Sequence, residues 1–116
     1  MNENSVRSIL DVLETWAREK RPIGPEEWLS AASKINVLLQ SEQERKYVME
    51  SQLAKIKAAY LSDGQTAAFA KAQMEATDEW LDYKKQCALV DRALETIRLA
   101  KGQARLTSEL MRHSLD

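Results

Sequence analysis

A chain of 116 residues with 30% charged and 44% hydrophobic side chains, three glycines and two prolines has the composition of a folded helical protein, not of a disordered one. Its net charge of -1 excludes a general attraction to nucleic acid or anionic membranes, so such binding would need a local patch. The single cysteine, Cys87, excludes an intramolecular disulfide and most cysteine-built metal sites.

The length and the N-terminal sequence set two further expectations. A chain of this size predicts a single all-helical domain, residues 1–116. No basic and apolar leader follows Met1, and no apolar run approaches the roughly 18 residues of a membrane span. We therefore expect a soluble, cytoplasmic protein.

The first predicted helix covers residues 5–21. Ser5 is a suitable N-cap, and the apolar side chains that follow recur on one stripe at helical spacing: Val6, Ile9, Leu10, Leu13, Trp16 and Ala17. The segment Pro22-Ile23-Gly24-Pro25 ends this helix, because proline cannot donate a backbone hydrogen bond. Pro25 also suits the first turn of a second helix.

The second predicted helix, residues 26–62, has an inward ladder with steps of four and three: Trp28, Ala32, Ile35, Leu39, Glu42, Lys46, Met49, Leu53, Ile56 and Tyr60. Gly64 is placed for a left-handed C-cap, and Thr66 can cap a third helix. A turn this short makes the two long helices antiparallel.

The third predicted helix, residues 66–115, has its own ladder: Phe69, Gln73, Ala76, Trp80, Tyr83, Cys87, Val90, Leu94, Ile97, Lys101, Ala104, Ser108, Met111 and Leu115. The turn at Gly64 then pairs Tyr60 with Phe69, Lys46 with Tyr83 and Glu42 with Cys87.

These elements predict an all-α fold, a long antiparallel helical hairpin (coiled coil) whose short N-terminal helix forms a three-helix base. Trp16, Trp28, Ile35, Leu94, Ile97 and Met111 are expected in the base. Leu94→Asp is therefore expected to unfold it. The rest of the hairpin forms a two-helix stalk that ends at Gly64.

A two-helix stalk hides only one stripe of each helix, so its remaining apolar side chains predict an association surface. We call this set the hairpin surface: Tyr47, Val48, Tyr60, Leu61, Phe69, Trp80 and Leu81. The expected partner is another protein or a second copy of the chain. No membrane contact, no cofactor and no enzymatic activity are predicted.

On the last helix, three arginines recur every seven residues, and together with Lys101 they are here called the basic stripe: Arg98, Lys101, Arg105 and Arg112. Evenly spaced arginines can follow a phosphate backbone, so contact with DNA is an alternative function. The same residues could instead cover the edge of the core and pair with acids of the first two helices, which are Glu14, Glu19, Glu26 and Glu27.

An acidic run offers a third possibility. Glu75, Asp78, Glu79 and Asp82 would share one face of a helix, and Glu79-x-x-Asp82 resembles half of the Mg²⁺ motif of all-α nucleotide pyrophosphohydrolases. The other half would need a third acid where Ser30 stands. The favoured interpretation is a solvated face that pairs with lysines across the hairpin, such as Lys46, Lys55 or Lys57. His113, the only histidine, has no Asp or Cys at ligand spacing, so no metal site is predicted.

A family resemblance covers roughly residues 26–105. The segments that carry it are Glu27-Trp28-Leu29 with Ala31-Ala32 and Leu38-Leu39, residues 55–64 (Lys-Ile-Lys-Ala-Ala-Tyr-Leu-Ser-Asp-Gly), residues 93–98 (Ala-Leu-Glu-Thr-Ile-Arg) and residues 101–105. Together they resemble the small helical-hairpin accessory proteins encoded in phage and prophage genomes. The resemblance implies an accessory role in phage DNA metabolism, such as recombination, or interference with host machinery. The partner would then be a host or phage protein. It brings no catalytic residues.

Overall fold

A computed structural model describes residues 5–20 and 22–115, and within them it has four helices: α1 (Val6–Arg18), α2 (Pro25–Ser62), α3 (Ala67–Glu75) and α4 (Asp78–Leu115). The long helix α2 packs against α4, so the predicted all-α helical hairpin is confirmed. The described residues divide into a first unit (5–20, 22–40 and 91–115) and a second unit (41–90). Both boundaries fall inside long helices, and no linker separates the units in the chain.

Local hydrogen bonds set the start of α1 and of α2. The backbone N–H of Ser8 donates to Oγ of Ser5 at 3.1 Å, so the predicted N-cap is confirmed. Before α2, the backbone N–H of Gly24 donates to the Glu27 side chain at 3.4 Å, as in a capping box. Helix α1 ends at Arg18, three residues before the predicted end, because Lys20 has a left-handed backbone with φ of 54°.

The turn after α2 is built by backbone hydrogen bonds around Gly64. The N–H of Gly64 donates to the carbonyl of Leu61 at 3.1 Å, and that of Gln65 donates to the carbonyl of Tyr60 at 3.2 Å. This pair of bonds is the Schellman motif, which requires a left-handed residue, and Gly64 has φ of 84°. The backbone N–H of Phe69 donates to Oγ1 of Thr66 at 3.2 Å, so Thr66 caps α3 as predicted.

We expect Gly64→Ala to destabilise the protein by about 1 kcal/mol, because a Cβ disfavours the left-handed conformation that the turn needs. Gly102→Ala is the matched control: it lies inside α4 without a positive φ, and an added Cβ would meet nothing within 4 Å. The control should stabilise by up to about 1 kcal/mol. Urea unfolding followed by circular dichroism measures both. Equal effects of the two changes would contradict this account of the turn.

The first unit has a core of small and branched side chains from three helices. Its fully buried or nearly buried members are Val6, Leu10 and Leu13 of α1, Ala31, Ala32, Ile35 and Leu39 of α2, and Ala93, Ile97, Ala100 and Ala104 of α4. Trp16 and Trp28 are half-buried. Three helix segments thus share one core, as predicted for the base.

The inward face of α4 in this unit differs from the predicted one. Leu94 is 45% exposed and Met111 is also exposed, so the prediction that they belong to the core is wrong. Two sets of α4 residues at helical spacing could face the core here. Both contain Ile97, but the predicted set continues with Lys101 and the observed set with Ala100. The observed ladder buries Ala93 and Ala100, whereas the predicted one would have buried the ammonium group of Lys101.

The second unit combines residues 41–62 of α2 with α3 and the first part of α4. The predicted single helix 66–115 is interrupted: α3 ends at Glu75 with Ala76 as its C-cap, and α4 begins at Asp78 with Thr77 as its cap. Oγ1 of Thr77 donates to the carbonyl of Met74 at 2.7 Å and accepts the N–H of Trp80 at 3.1 Å. Asp78 and Glu79 then occupy the first turn of α4, where acids favour a helix N-terminus.

Candidate protein-binding surface

The end of the hairpin presents aromatic and aliphatic side chains on a well-defined turn. The rings of Tyr60 and Phe69 meet edge to face with centroids 6.0 Å apart, which confirms the predicted pairing across the turn. Phe69 and Leu61 are exposed, and Tyr60 is half-buried. The Schellman turn and the Thr66 cap hold the backbone beneath them.

Three further members of the hairpin surface point away from the inward stripe of the second unit. Tyr47, Val48 and Leu81 are all more than half exposed. Tyr47 and Val48 are consecutive residues of α2, so at 100° per residue they lie on adjoining parts of its outer surface, whereas Leu81 lies on α4. The sequence therefore predicted their exposure, but it did not show how the apolar groups are distributed.

Trp80, a member of the hairpin surface, contacts side chains of the next turn of its own helix. It is half-buried, its ring lies 5.6 Å from that of Tyr83, and Nζ of Lys84 stands 5.0 Å from its centroid. These contacts cover part of the indole with an aromatic ring and a cation. Trp80 therefore contributes an edge to the surface rather than a protruding anchor.

A buried polar contact joins α4 to α2 in the second unit, and its partners differ from the predicted ones. Gln86 is buried, and its Nε2 donates to the backbone carbonyl of Glu42 at 2.9 Å and to the Glu42 carboxylate at 2.8 Å. The prediction paired Glu42 with Cys87, the next residue along, which is half-buried. A polar residue flanking the ladder could have signalled this contact, because Gln86 can donate to an acid that Cys87 cannot satisfy.

Tyr83 forms a second polar contact across the hairpin. Its hydroxyl donates to Oε1 of Glu50 at 2.8 Å, whereas the prediction placed Tyr83 opposite Lys46. The Cys87 thiol first, and then the Glu50 carboxylate, raise the pKa of the Tyr83 phenol. The phenol is therefore a neutral hydrogen-bond donor that helps to fix the pairing of α2 with α4.

The basic stripe lies exposed along α4 in the first unit, and it includes Arg98, Lys101, Arg105 and Arg112. Arg98 pairs with Glu95 one turn earlier, and this carboxylate raises the pKa of the Arg98 guanidinium. Of the acids predicted to pair with basic side chains of this helix, Glu14 does so, but with Arg92 at 2.9 Å. Both bridges are exposed, so they contribute little to folding stability.

The acidic run does not lie on one helix. Glu75 is the last residue of α3, whereas Asp78, Glu79 and Asp82 belong to α4, so the premise of a continuous acidic face is wrong. Glu75 pairs with Lys71 within α3 at 4.0 Å, and not with a lysine across the hairpin. Across residues 5–20 and 22–115, no three His, Cys, Asp or Glu side chains are grouped so that they could hold a metal ion.

An apolar groove between α1 and α2 is a feature that the sequence did not reveal. It has a volume of about 410 Å³, and its lining includes Ile9, Val12, Leu13, Trp16 and Ala31. Glu26 and Lys34 also line the groove. Helical periodicity indicates which face of each helix is apolar, but not how far apart two such faces are held.

Comparisons with protein-family models, curated proteins and solved structures give no match for this chain. In the described part of the chain, no helix is both long enough and apolar enough to cross a membrane.

Proposed function

We propose that this protein acts without catalysis of its own, by binding another protein through the hairpin surface. The observation that carries the proposal is the exposure of Tyr47, Val48, Leu61, Phe69 and Leu81 within one small unit. Exposed apolar side chains at this density are typical of contact surfaces, and aromatic residues are enriched at the centre of such contacts.

The end of the hairpin is the strongest anchor in this surface. Phe69 and Leu61 protrude beside a turn whose backbone is fixed by hydrogen bonds, so little conformational freedom is lost when a partner covers them. A partner with an apolar recess of aromatic size fits this end. The family resemblance adds the proposal that the partner belongs to host or phage DNA-metabolism machinery.

Replacing Tyr47, Val48 and Leu81 together with serine is expected to reduce partner capture at least tenfold and to leave helicity unchanged, because these side chains are exposed. Phe69→Ser should act in the same direction. A pull-down with quantitative mass spectrometry compares each variant with the wild type. The matched control replaces Val12, Leu29 and Val37, which are equally exposed but lie in the first unit. Capture that is lost only in the control would place the contact elsewhere.

A second candidate function is contact with DNA through the basic stripe, and it is favoured by the position of four exposed cations along one flank of α4. Changing Arg98, Arg105 and Arg112 to glutamate should then abolish binding to short DNA, and wild-type affinity should fall steeply with salt. Fluorescence anisotropy measures both effects. Arg45, Lys55 and Lys71, which are exposed cations of the second unit, provide the matched triple change. Binding that survives the first change would assign the contact to another surface.

A further inference from the structure

The groove between α1 and α2 is apolar on its α1 side and mostly polar on its α2 side. The lining residues of α1 recur at helical spacing, and they are Ile9, Val12, Leu13 and Trp16. The lining residues of α2 are Glu26, Glu27, Ser30, Ala31 and Lys34. A recess of about 410 Å³ with an apolar side and a few polar groups has the size and character of a site for a small organic molecule.

The charged side chains that line the groove lie at different places along it. Glu26 and Glu27 belong to the first turn of α2, whereas Lys34 lies about 12 Å further along the helix by its rise per residue. Lys34 also lines a neighbouring recess of about 320 Å³, which it shares with Ile9 of α1. The groove therefore has an acidic end, and its other end leads past Lys34 into the second recess.

Trp16 belongs to the acidic end. Of these two recesses Ile9 lines both, whereas Trp16 lines only the first, so α1 and α2 run antiparallel along the groove. One aromatic side chain and two carboxylates thus share one end. This combination suits an ammonium group, because carboxylates accept its N–H groups and an aromatic ring attracts a cation to its face.

We propose that the groove binds a small organic cation, whose apolar or aromatic body carries a primary ammonium group. The body lies against the α1 side and Ala31, and the ammonium group lies at the acidic end beside Glu26 and Glu27. Glu27 also accepts the backbone N–H of Gly24 at 3.4 Å, and a carboxylate has further acceptor positions, so ligand binding is compatible with this cap. The proposal concerns the first unit and is independent of the hairpin surface and of the basic stripe.

An NMR titration with three compounds that share a naphthalene ring tests the charge of the ligand. The probes are naphthylethylamine, naphthylethanol and naphthylacetate, which are cationic, neutral and anionic at neutral pH. We expect the amine to bind with a Kd of about 1 mM or below, about fivefold more tightly than the alcohol, and the acetate to bind most weakly. Backbone amide signals of residues 9–16 and 26–34 should shift, and those of residues 41–90 should not.

Three results of this titration would overturn the proposal. The first is no binding of the amine at about 5 mM, well above the expected Kd. The second is binding of the alcohol or the acetate at least as tight as that of the amine, which would mean a purely apolar site or an anion site at Lys34. The third is a set of shifted signals that lies outside the groove.

Variants of the lining test the site itself. Changing Glu26 and Glu27 together to glutamine keeps their size and a side chain that can cap α2, and it should abolish the preference for the amine over the alcohol. Val12→Ser should weaken binding of both compounds at unchanged helicity, because Val12 is exposed. The matched control changes Glu95 and Glu109, exposed acids of α4 in the same unit, to glutamine and should alter neither affinity. Equal effects of the two double changes would overturn the proposed site, since net charge alone would then attract the amine.

Discussion

Ile35→Asp is expected to unfold the first unit, whereas Leu94→Asp is expected to leave it folded. Ile35 is 0% exposed and is among the largest fully buried side chains of the described residues. A carboxylate at this position would lose its hydration among apolar neighbours, at a cost of about 4 kcal/mol or more, which is a large part of the stability of a small protein.

Leu94 offers a matched comparison, because sequence periodicity placed both residues in the same core. With 45% of its surface exposed, an aspartate there can reach water. We expect a loss of at most about 1 kcal/mol, comparable to other surface changes. Urea unfolding followed by circular dichroism distinguishes the two variants. Unfolding of the Leu94 variant together with tolerance at Ile35 would contradict the observed face of α4.

Gln86→Glu is expected to destabilise the protein by about 3 kcal/mol at pH 7, and the loss should shrink in acid. The new carboxylate would replace a donor that holds both the carbonyl and the carboxylate of Glu42, so two hydrogen bonds would be lost and two negative charges would meet. Gln52→Glu is the control, because Gln52 is exposed on α2 in the same unit.

The direction of the pH effect follows from the pKa of the new carboxyl. Burial and the Glu42 charge would raise this pKa above the ordinary glutamate value of about 4.3. An acid whose pKa is higher in the folded state than in the unfolded state destabilises progressively as pH rises through the raised value, and it does not do so below about pH 4. Urea unfolding at pH 4 and pH 7 checks this. A pH-independent loss would mean that packing, not charge, makes position 86 sensitive.

The sequence predicted α2 better than α4 for a physical reason. Along α2, the predicted ladder with steps of four and three matches the buried side of the helix, because its members Ile35, Leu39 and Leu53 are buried. Along α4, two ladders share Ile97 but differ at every second step. Periodicity alone could not choose between them, whereas the cost of burying Lys101 could have done so.

The interruption at Thr77 shows how local chemistry can override a continuous pattern. Apolar spacing continues through residue 77, so the ladder predicted an unbroken helix. A threonine followed by two acids is nevertheless an N-cap sequence, and here its hydroxyl makes the capping bond. The break separates Glu75 from the acids of α4. The four acids therefore do not form the single-helix metal site that the pattern suggested.

The candidate surface was predictable in its members but not in its arrangement. Exposure of Tyr47 and Leu81 follows from their positions off the ladder, and the meeting of Tyr60 with Phe69 follows from a short turn. The contacts that cover part of Trp80 depend on side-chain rotamers, which periodicity does not specify. The same limit applies to the groove between α1 and α2.

Site-specific photo-crosslinking in cells tests the central claim, that the hairpin surface binds another protein. A photoreactive phenylalanine analogue at position 69 should give a discrete adduct with a second protein, and the adduct should disappear when Tyr47, Val48 and Leu81 are serine. The control site is Val37, which is 74% exposed and lies in the first unit. We expect no such adduct there. An adduct at Val37 but none at position 69 would contradict the account.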